Sequence, residues 1–138
     1  MRVRQTIIAI LLALGLGGLA WSLLDLYSID GRDADFLPPV REYLRAALAL
    51  DSIRLVGTGA AQPAVRTALD AARAKPVMLR ALLSDLRLRQ ASHNGTQTAL
   101  FFNAPALARC AEWPLTVFVE GTPGAARIRE IRLPCAQP

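Results

Sequence analysis

The stretch from residue 86 to residue 102, LRLRQASHNGTQTALFF, decides the fold of this chain. Its first half alternates apolar and polar side chains, which is the pattern of a half-buried β-strand. Asn94-Gly95 is a strong signal for a tight hairpin turn, and the residues from Thr96 to Phe102 supply a partner strand. We therefore predict an antiparallel hairpin in this part of the chain.

A second hairpin follows towards the C-terminus. Leu115 to Glu120 and Arg127 to Leu133 are strand-like, and the residues between them, GTPG at 121–124, favour a turn. The alternation of the last strand is imperfect, because Ile128 and Ile131 fall on opposite faces of a regular strand. A bulge or a two-sided environment near the sheet edge would account for that pattern.

The residues before the first hairpin predict about three helices. Pro38-Pro39, Pro63 and Pro76 each precede apolar residues at helical spacing, and proline is well tolerated in the first turn of a helix. Between the first two helices, Ile53 to Val56 is predicted as a short strand that Gly57 ends. The prediction for residues 38–138 is one small α+β domain with an antiparallel sheet of two hairpins.

The two cysteines are predicted to form one disulfide. Cys110 precedes the second hairpin and Cys135 follows it, so the hairpin would bring them together. An even number of cysteines in a small exported domain is typical of a structural disulfide. A redox or metal-binding pair is less favoured, because the chain has no CxxC motif and His93 is distant in sequence.

An apolar stretch near the start predicts the location of the chain. Ile7 to Leu24 is free of charge and long enough to span a bilayer as a helix. The basic residues Arg2 and Arg4 precede it and acidic residues follow it, which predicts a cytoplasmic tail at 1–6 and a transmembrane helix at 7–27. The segment 28–37 is then a polar linker, and the domain lies in the periplasm or outside the cell.

The same stretch also fits a cleaved signal peptide. Gly18-Leu19-Ala20 resembles a cleavage site, which would leave Trp21 as the first residue of the mature chain. The apolar character continues beyond that point, which favours an uncleaved anchor. Small residues recur every four positions within the stretch, and they form a candidate packing stripe for another membrane helix: Ala9, Ala13 and Gly17.

The net charge of +5 arises almost entirely from arginine, because Lys75 is the only lysine. Aromatic residues are few and do not alternate with the arginines, so binding of nucleic acid is not predicted. If the two hairpins join in one sheet, four arginines form a possible basic patch for an acidic partner or for lipid headgroups: Arg87, Arg89, Arg127 and Arg129. A solvated outer face is the alternative.

The sequence indicates no catalytic, cofactor-binding or metal-binding residues. His93 follows Ser92 directly, but neighbours on a strand point to opposite faces and no carboxylate is placed to orient the imidazole. We therefore predict that the chain is not an enzyme. It is expected to be a membrane-anchored structural or assembly subunit of an envelope complex, in contact with membrane lipid and with another membrane or periplasmic protein. The alternative is a cleaved, secreted binding or inhibitor module.

Overall fold

The computed structural model describes residues 31–136, which form a small α+β domain. Helices pack against a four-stranded antiparallel sheet, and one disulfide is present. In chain order the elements are a helical turn at Gly31–Ala34, the helices α1 (Leu37–Leu48), α2 (Ser52–Gly57), α3 (Gln62–Ala74) and α4 (Pro76–Ser84), and the strands β1 (Arg87–Asn94), β2 (Gln97–Asn103), β3 (Leu115–Glu120) and β4 (Arg127–Arg132). The predicted α+β class, the two hairpins and the disulfide are confirmed.

Prolines begin the three longest helices of the described chain. Pro38 and Pro39 lie in the first turn of α1, Pro63 in that of α3 and Pro76 in that of α4. The first N–H groups of a helix have no partner within it, so the N–H that proline lacks costs little there. These three helices agree with the prediction from the sequence.

The stretch from Ile53 to Val56 is helical, and the prediction of a strand there is wrong. The carboxylate of Asp51 accepts a hydrogen bond from the backbone N–H of Arg54 (3.1 Å) and caps the N-terminus of α2. A helical turn satisfies its own backbone groups, whereas so short a strand would need a neighbouring strand. The described domain therefore has a fourth helix beyond the three predicted.

The turn between β1 and β2 lies one residue later than predicted. Gly95 and Thr96 are the two loop residues, and Gly95 has φ of +64°, which glycine adopts without a steric penalty. The sheet register consequently places Thr98 opposite His93. A turn centred on Asn94-Gly95 would have placed Thr96 there.

The strand order is β1-β2-β3-β4, so the two hairpins join in one sheet and β1 and β4 are its edges. Each edge strand contains a bulge. Arg129 is the extra residue in β4, and for this reason both Ile128 and Ile131 face the core. Arg89 is the extra residue in β1. Of the two explanations predicted for the irregular last strand, the bulge is confirmed.

The core lies between the helices and one face of the sheet. Alternate residues of β2 and β3 are buried there, as the sequence pattern predicts. Its largest fully buried side chains are Val40, Tyr43, Leu44, Leu55, Leu79 and Leu82 from the helices, Leu86 from the connection to β1, and Leu100, Phe102, Leu115, Val117 and Val119 from the strands. Each such side chain stabilises the fold by roughly 1.5–3 kcal/mol when it is withdrawn from water.

The disulfide joins Cys110, in the connection between β2 and β3, to Cys135, just after β4. The two Cα atoms are 5.9 Å apart, within the usual range for a disulfide. The Nζ of Lys75, at the junction of α3 and α4, donates a hydrogen bond to the carbonyl of Cys135 (3.3 Å). The C-terminal segment is thus attached both to the sheet connection and to the helical layer.

The segment 28–37 differs from the predicted solvated linker in the part that the structure describes. Phe36 is a member of the core, and the carboxylate of Asp33 is buried. The backbone N–H of Phe36 donates to the carbonyl of Asp33 (3.1 Å), which closes a turn. Burial of the Phe36 ring favours packing over solvation at this point.

The predicted tail at 1–6 and the predicted transmembrane segment at 7–27 lie outside the described residues, as does the stripe of Ala9, Ala13 and Gly17. Within residues 31–136, no helix combines the length and the apolar character needed to cross a bilayer.

Candidate functional site

A chain of three polar side chains connects the start of the domain to the first hairpin. His93 Nε2 lies 3.0 Å from one carboxylate oxygen of Asp33 and 3.2 Å from the other. His93 Nδ1 lies 3.0 Å from the hydroxyl oxygen of Thr98, its cross-strand partner. Beside this group is an open cleft of about 410 Å³, whose lining includes Phe36 and Gly121. The expectation that no carboxylate orients the imidazole is therefore wrong, because the fold supplies one from residue 33.

The hydrogen-bond network indicates how the protons are arranged. With a neutral imidazole, Nε2–H donates to the Asp33 carboxylate and Nδ1 accepts from the Thr98 hydroxyl. A hydroxyl, an imidazole and a carboxylate in this order are also the groups of a nucleophilic triad. Thr98, however, is only 5 % exposed, whereas 57 % of the His93 side chain is exposed. Thr98 therefore offers little exposed surface to a substrate, although it is among the residues that line the cleft.

Replacing His93 by alanine should lower the free energy of unfolding by about 1–2 kcal/mol, because the buried carboxylate of Asp33 would lose its partner. The double variant His93→Ala/Asp33→Asn should recover part of that loss, since a neutral amide is cheaper to bury unpaired. Urea unfolding, monitored by circular dichroism, is measured for the wild type, His93→Ala, Asp33→Asn and the double variant, which completes the double-mutant cycle. Strictly additive effects of the two substitutions would show that the contact contributes nothing.

The sheet face opposite the core carries an aromatic cluster of Phe101, Trp113 and Phe118, all partly exposed. The rings of Phe101 and Trp113 pack with their centroids 5.6 Å apart. The guanidinium of Arg132 lies over the ring of Phe118, 4.8 Å from its centroid. Thr116 lies between Phe101 and Arg132 in the sheet register and is buried. The outer face is therefore an organised surface of aromatic and cationic side chains.

The structure does not bring the four arginines of the predicted basic patch together. Two of them lie on β1 and two on β4, at opposite edges of the sheet, and β2 and β3 lie between them. Neighbouring strands are about 4.8 Å apart, so the two pairs are separated by roughly 14 Å. The residues concerned are Arg87, Arg89, Arg127 and Arg129.

Acidic neighbours also compensate part of this charge. Asp85 accepts two hydrogen bonds from Arg87 (3.1 and 3.0 Å), and this bonding, with the attraction between the charges, raises the pKa of the guanidinium. Arg129 donates to Glu120 (3.1 Å). Arg127 instead donates to the backbone carbonyl of Gly59 (2.8 Å). Arg87 and Arg129 are thus members of surface ion pairs, and the four arginines do not form one cationic surface.

In the described part of the chain, no three side chains of His, Cys, Asp or Glu lie close enough to hold a metal ion. Sequence reasoning missed both features described above. A signal for the aromatic cluster was present, since Phe101 and Phe118 occupy outward positions of their alternating strands. The contact between Asp33 and His93 joins residues 60 positions apart, and no local pattern indicates it.

Comparisons of the chain with protein-family models, with curated proteins and with solved structures found no match.

Proposed function

We propose that this chain is a single-pass membrane protein whose exported domain serves as a structural or assembly subunit of a bacterial envelope complex, of the secretion, pilus or respiratory type, without catalysis. Residues 7–27 anchor it in the inner membrane, with residues 1–6 in the cytoplasm and the domain in the periplasm. The charge-free stretch and its flanking charges support this orientation. The disulfide supports it independently, because such bonds persist in oxidising compartments.

The aromatic cluster is the observation that carries the assembly role. Phe101, Trp113 and Phe118 stay partly exposed on the face of the sheet opposite the core. Tryptophan, phenylalanine and arginine are enriched in the centres of protein interfaces, where their large surfaces leave water together. Arg132 is already held against Phe118, so less of its conformational freedom remains to be lost on binding. The partner in this proposal is another membrane or periplasmic protein.

The arrangement of Asp33, His93 and Thr98 supports a structural role for the imidazole. The histidine lies on the hairpin and the aspartate on the turn that enters the domain, so their contact fixes that turn on the sheet. The low exposure of Thr98 favours a structural hydroxyl over a nucleophile. No cofactor is part of the proposed function.

Photo-crosslinking in native membranes tests the assembly role. A benzophenone amino acid at position 118 should give one dominant adduct with an envelope protein, because that position lies at the centre of the proposed interface. The same amino acid at Val77, an exposed aliphatic position on α4, is the matched control and should give no such adduct. Arg132→Glu should lower the yield from position 118 severalfold. Equal adducts from positions 118 and 77 would contradict the proposal.

The alternative is a released binding or inhibitor module, which requires cleavage after Ala20. The open cleft of about 410 Å³ beside His93 favours this alternative, because a small ligand or a peptide side chain would fit there. The intact mass of the protein recovered from cell envelopes separates the two functions. A chain that begins at Met1 supports the anchored subunit, and one that begins at Trp21 supports the released module.

A further inference from the structure

Three large aliphatic side chains are exposed within seven residues of α2 and the turn before it. Leu50 is 49 % exposed, Ile53 85 % and Val56 53 %, and we call these three side chains the α2 patch. In the part of the chain that the structure describes, Val77 is the other large apolar side chain with comparable exposure, at 71 %. So much apolar surface in one short segment is typical of a contact site.

The patch forms one side of a short helix. Ile53 and Val56 are three residues apart, so they lie on the same face of α2, and Leu55 on the other face is fully buried. Leu55 is the buried residue of this helix, and Arg54 also pairs with Glu42 of α1. Ile53 and Val56 gain little from the fold itself.

Leu50 occupies a position that normally favours glycine. Its φ is +52°, and it is the single non-glycine residue with positive φ in the described chain. It follows the C-cap of α1, where its N–H donates to the carbonyl of Ala47 (2.9 Å) and the next N–H, of Asp51, to that of Ala46 (3.0 Å). A leucine is strained there, yet half of its side chain remains in water. A contact outside the domain would explain why an apolar side chain stands at this position.

The charges beside the patch compensate one another. Arg54 pairs with Glu42 of α1, and the carboxylate of Asp51 caps α2. Contact with a bilayer would therefore depend on the apolar side chains and not on attraction to anionic headgroups, while the stem of Arg54 can lie along apolar surface.

Chain length places the patch within reach of lipid. The proposed anchor ends at residue 27 and α1 begins at Leu37, so nine residues separate the anchor from the first long helix. Nine residues span at most about 30 Å. Such a short tether gives the domain a high effective concentration at the bilayer, so that even a weak contact is populated.

We propose that the α2 patch inserts into the boundary between headgroups and acyl chains of the bilayer that anchors the chain, and so fixes the orientation of the domain on the membrane. The inference rests on the proposed function, because the anchor supplies the proximity. Aliphatic side chains at this depth lose their contact with water while the polar backbone stays at the headgroups.

Fluorescence quenching by brominated lipid tests this inference. The full chain, with Trp21→Phe and Trp113→Phe so that each variant carries a single indole, is reconstituted into vesicles of phosphatidylcholine and phosphatidylglycerol. Ile53→Trp places an indole in the patch. Val77→Trp is the matched control, because Val77 is also an exposed aliphatic residue but lies on another helix, α4. Bromine on the acyl chains should quench the indole of Ile53→Trp at least about twice as strongly as the indole of Val77→Trp. The difference should persist at high salt, because salt screens charge attraction and not apolar insertion.

Adding Leu50→Ser and Val56→Ser to Ile53→Trp should lower the quenching to the level of the control. If the chain floats with the vesicles but bromine quenches both indoles equally, the membrane contact of the α2 patch is refuted. The proposed anchor at residues 7–27 would still stand. Protection of the Ile53→Trp indole from aqueous iodide without quenching by bromine would show a protein on the patch, and would also overturn it. A chain that does not float with the vesicles would refute the anchor, and the inference with it.

Discussion

Replacing Tyr43 by alanine should lower the free energy of unfolding by about 4 kcal/mol, the largest loss that we expect from a single substitution in this domain. The ring is fully buried between α1 and the rest of the core. Its hydroxyl donates a buried hydrogen bond to the carbonyl of Ala64 in the first turn of α3 (2.6 Å). The substitution removes both the aromatic volume and the link between the two longest helices described.

Tyr43→Phe separates these two contributions. It retains the ring and removes only the hydroxyl, so we expect a loss of about 1 kcal/mol, or a melting temperature lower by about 4–8 °C. Urea unfolding of the full chain in detergent, followed by circular dichroism, measures both variants. If the alanine variant lost no more than the phenylalanine variant, Tyr43 would not be the core residue that the fold indicates.

The pH dependence of stability provides a second measurement on Tyr43. Burial raises the pKa of its phenol above the ordinary value of 10.0, because the charged phenolate is poorly solvated in the core. The folded state therefore holds this proton more tightly than the unfolded state. Its contribution is fully present below pH 10 and decreases as the pH rises above that value. Tyr43→Phe should lack this alkaline component.

Reducing the disulfide should lower the free energy of unfolding by about 3 kcal/mol. Cys110 and Cys135 are 25 residues apart, and the bond restricts the unfolded chain by closing a loop of that size. The loop contains β3 and β4, half of the sheet. In a domain of this size that is a large share of a net stability of about 5–10 kcal/mol.

Cys110→Ser is the variant of choice, because Cys110 is exposed and a serine hydroxyl is tolerated there, whereas Cys135 is buried. Its melting temperature should match that of reduced wild-type protein and should not change further on addition of reductant. Membrane insertion should persist, because the predicted anchor lies far from the bond in sequence. Mass spectrometry of unreduced protein from envelopes checks the bond itself. Two free thiols would contradict both the bond and the proposed orientation.

The elements that the sequence predicted correctly depend on local chemistry. Proline is tolerated in the first turn of a helix, and Pro63 and Pro76 mark the starts of α3 and α4. Alternating apolar residues define the buried faces of β2 and β3. The disulfide follows from the same local pattern, because a cysteine on each side of a hairpin is brought close to the other when the strands pair.

Where short segments had two local solutions, tertiary structure selected one. Ile53 to Val56 has strand-forming residues, but the cap at Asp51 and the burial of Leu55 make it a helix. The hairpin turn had two possible registers, and positive φ at Gly95 placed it one residue later than the Asn-Gly signal indicated.

The sequence by itself therefore determined the class of the fold, the hairpins, three of the helices and the cysteine pair, because each depends on residues near one another or on a simple period. Tertiary structure alone decided which distant side chains meet. It placed Asp33 on His93 across 60 residues, and strand order put Arg87 and Arg127 at opposite edges of the sheet. It also left Ile53 in water, because packing of the helix on Leu55 uses only the other face. Such contacts depend on how the layers assemble, and no periodicity in the chain encodes them.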